Sequence, residues 1–118
     1  MQQKNDVDIE RLGAVTLLHI HGDITIFSEP FLNQAYKDVC DNSDSKILLR
    51  FDENAYINSG GIALLIQLLA KSKKNQQLVG ITGLSAHFQK IFHMVGITKF
   101  AKIYGSAEEA LQALSVGP

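Results

Sequence analysis

Two short runs carry apolar residues at both alternating positions: AVTLLHIH at 14–21, through Val15, Leu17, Leu18 and Ile20, and KILLRF at Lys46–Phe51. Successive side chains of a strand point to opposite faces, so such a run must be covered on both sides. A chain with two of them needs helices to do the covering. The segments between and after them supply those helices. Ser28, Glu29 and Pro30 form a helix start, because proline loses nothing by lacking an N–H in the first turn. Phe31, Ala35 and Val39 then repeat every four residues, giving an apolar stripe that ends near Asp41, before a loop at 42–45. After the second run, Ser59-Gly60-Gly61 opens the most apolar helix, 62–73, with Leu64, Leu65, Leu68 and Leu69 on a wide face. Lys71, Lys73 and Lys74 close it, where cations complement the negative end of the helix dipole.

The remaining segments repeat the alternation. A short strand at 7–10 precedes Gly13, and Gly22-Asp23 ends the first long run. A third apolar strand spans Leu78–Thr82. Ser85 caps a helix carrying Phe88, Ile91, Phe92 and Val95, and Gly96 supplies a left-handed stop with Ile97 in contact. A short strand at 102–104 follows. Ser106 and Glu109 have the spacing of a capping box ahead of Ala110, Leu111 and Leu114. The order β-β-α-β-α-β-α-β-α predicts an α/β domain over residues 1–118, with a mostly parallel sheet and helical crossovers. Which sheet face the helices cover is left open by the pattern.

Composition removes several function classes. Eleven Lys and Arg against 12 Asp and Glu give a net charge of −1, without the basic excess of a nucleic-acid binder. Cys40 is the single cysteine, so no internal disulfide or multi-cysteine metal site can form, and a lone thiol accords with a reducing compartment. No apolar run approaches the roughly 20 residues of a membrane helix. The start MQQKNDVDIE is too polar for a signal peptide. The expectation is a small cytoplasmic domain with no cofactor, no metal, no nucleic acid and no membrane partner.

Catalytic motifs are absent from the sequence. There is no GxxxxGK[ST] phosphate loop, no GxGxxG fingerprint and no GxSxG elbow around Ser59, which follows Ile57-Asn58. An enzyme is not expected. His19 and His21 share a strand face and could hold a metal, but no carboxylate or thiol at a telling spacing completes the set, so they read as strand-end or solvent-facing residues. His87 and His93, six apart on a helix, fall on different faces and read as surface residues. Asp23 is positioned to order a turn, and Cys40 reads as structural. Asp52, Glu53 and Asn54 follow a strand at its carboxyl end, the edge where parallel sheets collect functional groups, although a solvated loop accounts for them too.

The distinctive local feature is YINSGGIALLIQLL, residues 56–69. Ser59 reads as the N-cap of the apolar helix. Two adjacent glycines are poor helix formers, and glycine is useful where another backbone approaches closely. A phosphoryl group on Ser59 would bring about two negative charges to the positive end of a helix dipole. A plain cap and a modification site are both consistent with the spacing.

Three segments resemble the STAS domain, the sulfate-transporter and anti-sigma-factor-antagonist fold, and in particular stand-alone bacterial anti-sigma factor antagonists. HIHGDIT at 19–25 is similar to the family's strand ending in a G-(D/E)-(L/I) turn. YINSGGIALLI at 56–66 is similar to its D-S-(S/T/A)-G-(L/I)-(G/A) signature, and GLSAHFQKIFHMVGITKFAKIYGSAEEAL at 83–111 to its last helices and strand. The resemblance spans residues 8–114. It implies a small mixed, mostly parallel sheet with about four helices packed mainly on one face. It also implies partner switching: a serine kinase that is itself an anti-sigma factor binds the unphosphorylated domain and frees its sigma factor. That kinase phosphorylates the signature serine, here Ser59, and a serine phosphatase resets the switch. Partner contact is expected at Asp23, Thr25, Asn58, Ser59, Gly60, Gly61 and Ile62. Asn58 stands where many members carry Asp, and Gly60 where many carry Ser or Thr. Those departures favour the alternative of a non-switching STAS-like subunit in a transport or signalling complex.

Overall fold

The computed structural model describes residues 6–116. Its strands are β1 (Val7–Leu12), β2 (Val15–Ile20), β3 (Lys46–Phe51), β4 (Leu78–Thr82) and β5 (Lys102–Ile103). Its helices are α1 (Glu29–Asp41), α2 (Ser59–Lys74), α3 (Ala86–Met94) and α4 (Ala107–Val116), with short 3-10 turns at Ile26–Ser28 and Ile97–Lys99. The five strands lie in the order of the chain, β1-β2-β3-β4-β5. β1 is antiparallel to β2, with Asp8 opposite His19, and every later pair is parallel.

That order decides the layers. Each crossover from β2 onward adds its strand at the same edge, and crossovers between parallel strands are right-handed, so α1, α2 and α3 must share one face. Leu18, Ile20, Ile47, Leu49, Phe51, Val79 and Ile81 point to that face. They pack there with Leu32 and Val39 of α1, Leu65 and Leu69 of α2, and Phe88 and Phe92 of α3. Helix α4 follows the last strand and carries no crossover. It lies on the opposite face, where Ala110 and Leu114 cover Val15, Leu17 and Leu48. The helices are thus mainly, not wholly, on one side.

The local signals appear as expected. Ser85 Oγ accepts from Phe88 N–H, and Glu109 N–H donates to Ser106 Oγ, which is the serine half of the expected capping box. Gly96 has φ +85° and Ile97 is fully buried. At ten residues α4 runs about 15 Å, too short to cover the whole rear face. The carboxyl ends of β2 and β3 therefore carry polar residues there: His19, Arg50 and, one step beyond the strands, His21 and Asp52.

Candidate functional site

The loops after β2 and β3 are bound to each other. Ile24 and Ile57 form an isolated parallel bridge, with Ile24 N–H donating to Tyr56 C=O at 2.9 Å and Asn58 N–H to Ile24 C=O at 3.1 Å. Asp23 orders this junction, as its position suggested, because Tyr56 N–H donates to Asp23 Oδ1 at 2.8 Å. Thr25 organises the next turn: its Oγ1 accepts from Phe27 N–H, and its own N–H donates to Ser28 Oγ.

This bridge corrects the reading of Ser59 as the helix cap. The bond to Ile24 holds Asn58 in extended backbone, φ −85° and ψ 179°, which is the conformation an N-cap needs. Asn58 Oδ1 accordingly accepts from Gly61 N–H at 2.9 Å, and Ser59 becomes the first helical residue. Its side chain is exposed and its hydroxyl lies outside the cap. The N–H groups of Ser59 and Gly60 have no preceding helical carbonyl, so the positive end of α2 remains available to an anion beside them.

The glycines answer to the same junction. A Cβ on Gly61 would stand 2.3 Å from Ile24 O, and one on Gly60 would stand 3.3 Å from Ile26. The backbone that approaches this pair is the chain's own. Ile62, half-buried, donates its N–H to Asn58 C=O and starts the regular helical ladder.

Three large apolar side chains flank this corner and were not singled out from the sequence. Ile26, Phe27 and Tyr56 are 54%, 65% and 59% exposed. Ile26 lies against Gly60, and the Tyr56 ring meets Phe88 of α3 edge-on with centroids 5.9 Å apart. The available signal was Ile26-Phe27 itself, an apolar pair inside a turn between Gly22-Asp23 and a helix start.

A second cluster sits on the rear face. Spacing alone left His19 and His21 without a carboxylate, but the parallel pairing of β2 with β3 brings Asp52 to them. His19 Nε2 lies 3.0 Å and His21 Nδ1 3.5 Å from Asp52 Oδ1, while His21 Nε2 lies 2.9 Å from Asp8 Oδ2. Asp52 Oδ2 accepts from Gly22 N–H at 3.0 Å. The hydrogen bond to Asp8 raises the His21 pKa above the ordinary histidine value, partial desolvation opposes this, and the charges of Asp52 and Asp8 add to the rise. The Gly22 N–H holds Asp52 below the usual carboxylate range against partial burial, with help from both histidines. Glu53 and Asn54 are exposed, as are His87 and His93. Cys40 is half-buried, 3.8 Å from Gln77 Nε2.

A mixed five-stranded sheet, three crossover helices on one face and a serine opening α2 define a class. The model for the STAS domain matches residues 6–110, and the chain belongs to the STAS domain family. Among solved structures the fold is similar to an anti-sigma factor antagonist from Mycobacterium paratuberculosis, at 20% identity over 95% of each chain with a TM-score of 0.79. It is also similar to the anti-sigma factor antagonist SpoIIAA in its unphosphorylated form, at 12% identity over 96% of this chain and 99% of that one, with a TM-score of 0.74. The phosphorylated form of SpoIIAA, the Bacillus cell fate determinant, matches at 12% identity over 92% of this chain and 98% of that one, with a TM-score of 0.65. Among the described residues no helix is long and apolar enough to cross a membrane.

Proposed function

We propose that this protein is an anti-sigma factor antagonist that works by binding, not by catalysis. It docks a kinase-type anti-sigma factor at the corner formed by Asp23, Thr25 and residues 58–62, and so releases the sigma factor. Phosphorylation of Ser59 by that kinase ends the complex, and a serine phosphatase restores it. The observation that carries this reading is Ser59 itself: exposed at the first position of α2, outside the cap, with exposed Ile26 against the next residue and exposed Tyr56 three places before it.

Magnitudes set the direction of the switch. A phosphoserine adds about two negative charges, and the helix dipole stabilises such a charge by about 0.3–1 kcal/mol at an exposed site. The fold therefore accepts the phosphate. Burying that dianion under a partner packed on apolar side chains costs several kcal/mol, so docking loses. A net charge of −1 becomes roughly −3, with the whole change at one corner.

The test mixes the protein with its genomic-neighbour kinase and ATP. Wild type is expected to take one phosphate at Ser59 and leave the complex. Ser59→Ala should stay bound in ATP, and Ser59→Asp should bind at least about tenfold more weakly. No phosphate on wild type, together with unchanged binding by Ser59→Asp, overturns the switch. That result would favour the non-switching subunit, which is consistent with Asn58 serving as the cap and Gly60 packing on Ile26.

A further inference from the structure

We propose that His19, His21 and Asp52 form a binding site for one divalent late transition-metal cation of the zinc class, on the rear face of the sheet. Nothing in the proposal depends on Ser59 or on a protein partner. It departs from the expectation, drawn from sequence spacing, that the chain holds no metal.

The donor set is two imidazole nitrogens and one carboxylate oxygen, whose ligand atoms all lie within 4.8 Å of one another. Zinc binds such groups at about 2.0–2.2 Å, so neighbouring ligands of a tetrahedral ion stand about 3.4 Å apart. The observed separations from Asp52 Oδ1, 3.0 Å to His19 Nε2 and 3.5 Å to His21 Nδ1, bracket that value. Side-chain exposures of 24%, 37% and 31% for His19, His21 and Asp52 leave a path from solvent and room for water at the open position.

The surroundings are those that orient metal ligands. A ligating histidine ordinarily donates its other N–H to a carboxylate, which fixes ring and tautomer. Asp8 Oδ2 stands 2.9 Å from His21 Nε2 in that role, and Gly22 N–H holds the second oxygen of Asp52. His21 Nδ1 lies 3.5 Å from Asp52 Oδ1, so a cation held between them would take the place of the imidazole proton that now faces the carboxylate. On binding, His19 would carry its own proton on Nδ1 and offer Nε2. Imidazole with carboxylate suits zinc, nickel and copper, whereas magnesium and calcium want oxygen alone. The three ligands come from the ends of adjacent parallel strands, so the ion would tie β2 to β3 where the two loops that bridge at Ile24 and Ile57 begin.

Titration calorimetry of the full chain with zinc chloride at about pH 7.5 tests the site, with imidazole protons released as the ion binds. One ion per chain is expected, with a rise in Tm. His19→Gln/His21→Gln should lose binding by at least about tenfold, Asp8→Asn should weaken it by about tenfold, and His87→Gln/His93→Gln should bind as wild type. Asp52→Asn also removes the acceptor charge for Gly22 N–H, so the histidine variants carry the test if it fails to fold. Absence of stoichiometric binding by folded wild type overturns the proposal. So does equal binding by the His19→Gln/His21→Gln variant, or equal loss in the His87→Gln/His93→Gln control.

Discussion

At position 58 one side-chain oxygen and one backbone N–H settle where α2 begins. Asn58 Oδ1 caps Gly61 while its N–H is held by Ile24, so removing the amide should cost stability and removing the neighbouring hydroxyl should not. Asn58→Ala is expected to lower unfolding stability by about 1 kcal/mol. Ser59→Ala should stay within about 0.5 kcal/mol of wild type in the same urea titration. Equal losses at both positions would mean that Ser59 shares the cap. Gly61→Ala belongs at this scale too. Its methyl would stand 2.3 Å from Ile24 O, a backbone atom tied into the bridge, and the expected loss is about 1–3 kcal/mol. Such a variant would also displace the Ser59 corner, so partner binding should fall together with stability. The notable point about the glycine pair is that an unusual dipeptide was legible as a close approach, yet not as an approach by the chain's own turn. Nothing in a string of letters says that Ile24 lies 37 positions away in sequence but in contact across the α2 start.

Among the elements, α2 and the β1–β2 pair illustrate different supports. Leu69 of α2 is fully buried against the crossover face of the sheet. Leu69→Ala leaves a cavity at a site hemmed in by strands and is expected to cost about 2–5 kcal/mol, read as a lower denaturant midpoint with unchanged slope. β1 is attached partly by charge: Arg11 Nη2 donates to Asp44 Oδ2 at 2.9 Å, joining the strand to the loop after α1. Burial pushes the Asp44 pKa up, but hydrogen bonds from Asn42, Arg11 and Thr16, with the Arg11 charge, outweigh it and hold Asp44 below the usual carboxylate value. A depressed folded pKa stabilises fully above the unfolded value and is lost as pH falls through the folded one. The stability gap between wild type and Asp44→Asn should therefore be constant above about pH 5 and shrink steadily below about pH 4. A gap that stays flat across that range would remove Asp44 from the account. Periodicity located these elements well because it records local facts: which residues alternate, which recur every fourth place, where a glycine must turn left. It shortened β1 and placed the start of α2 one residue late at the cap, since both boundaries are set by partners in other elements.

For the whole molecule the decisive feature is the asymmetry between two sheet faces. Three crossover helices seal one side, and α4 seals only part of the other. Leu114→Ala, in the smaller rear cluster, is expected to cost about 2–5 kcal/mol, because its side chain is fully buried against Val15, Leu17 and Leu48. A variant within about 0.5 kcal/mol of wild type would show that the rear layer is not part of the cooperative unit. The same asymmetry leaves the strand ends open on the rear face, where His19, His21 and Asp52 meet. Local order was sufficient for the class: alternating doubly apolar strands and striped helices admit a mostly parallel, helix-covered sheet and little else, and the serine that opens the most apolar helix stands out in the same string. The tertiary structure decided which side chain caps that helix, which backbone its glycines accommodate, which apolar residues surround Ser59, and that Asp52 completes the pair of histidines. Propensity and periodicity act between residues a few places apart and can be read along the chain. At the ends of β2 and β3, strand pairing and loop contact join residues 30 or more places apart, and the distances that create a site exist only once that pairing has formed.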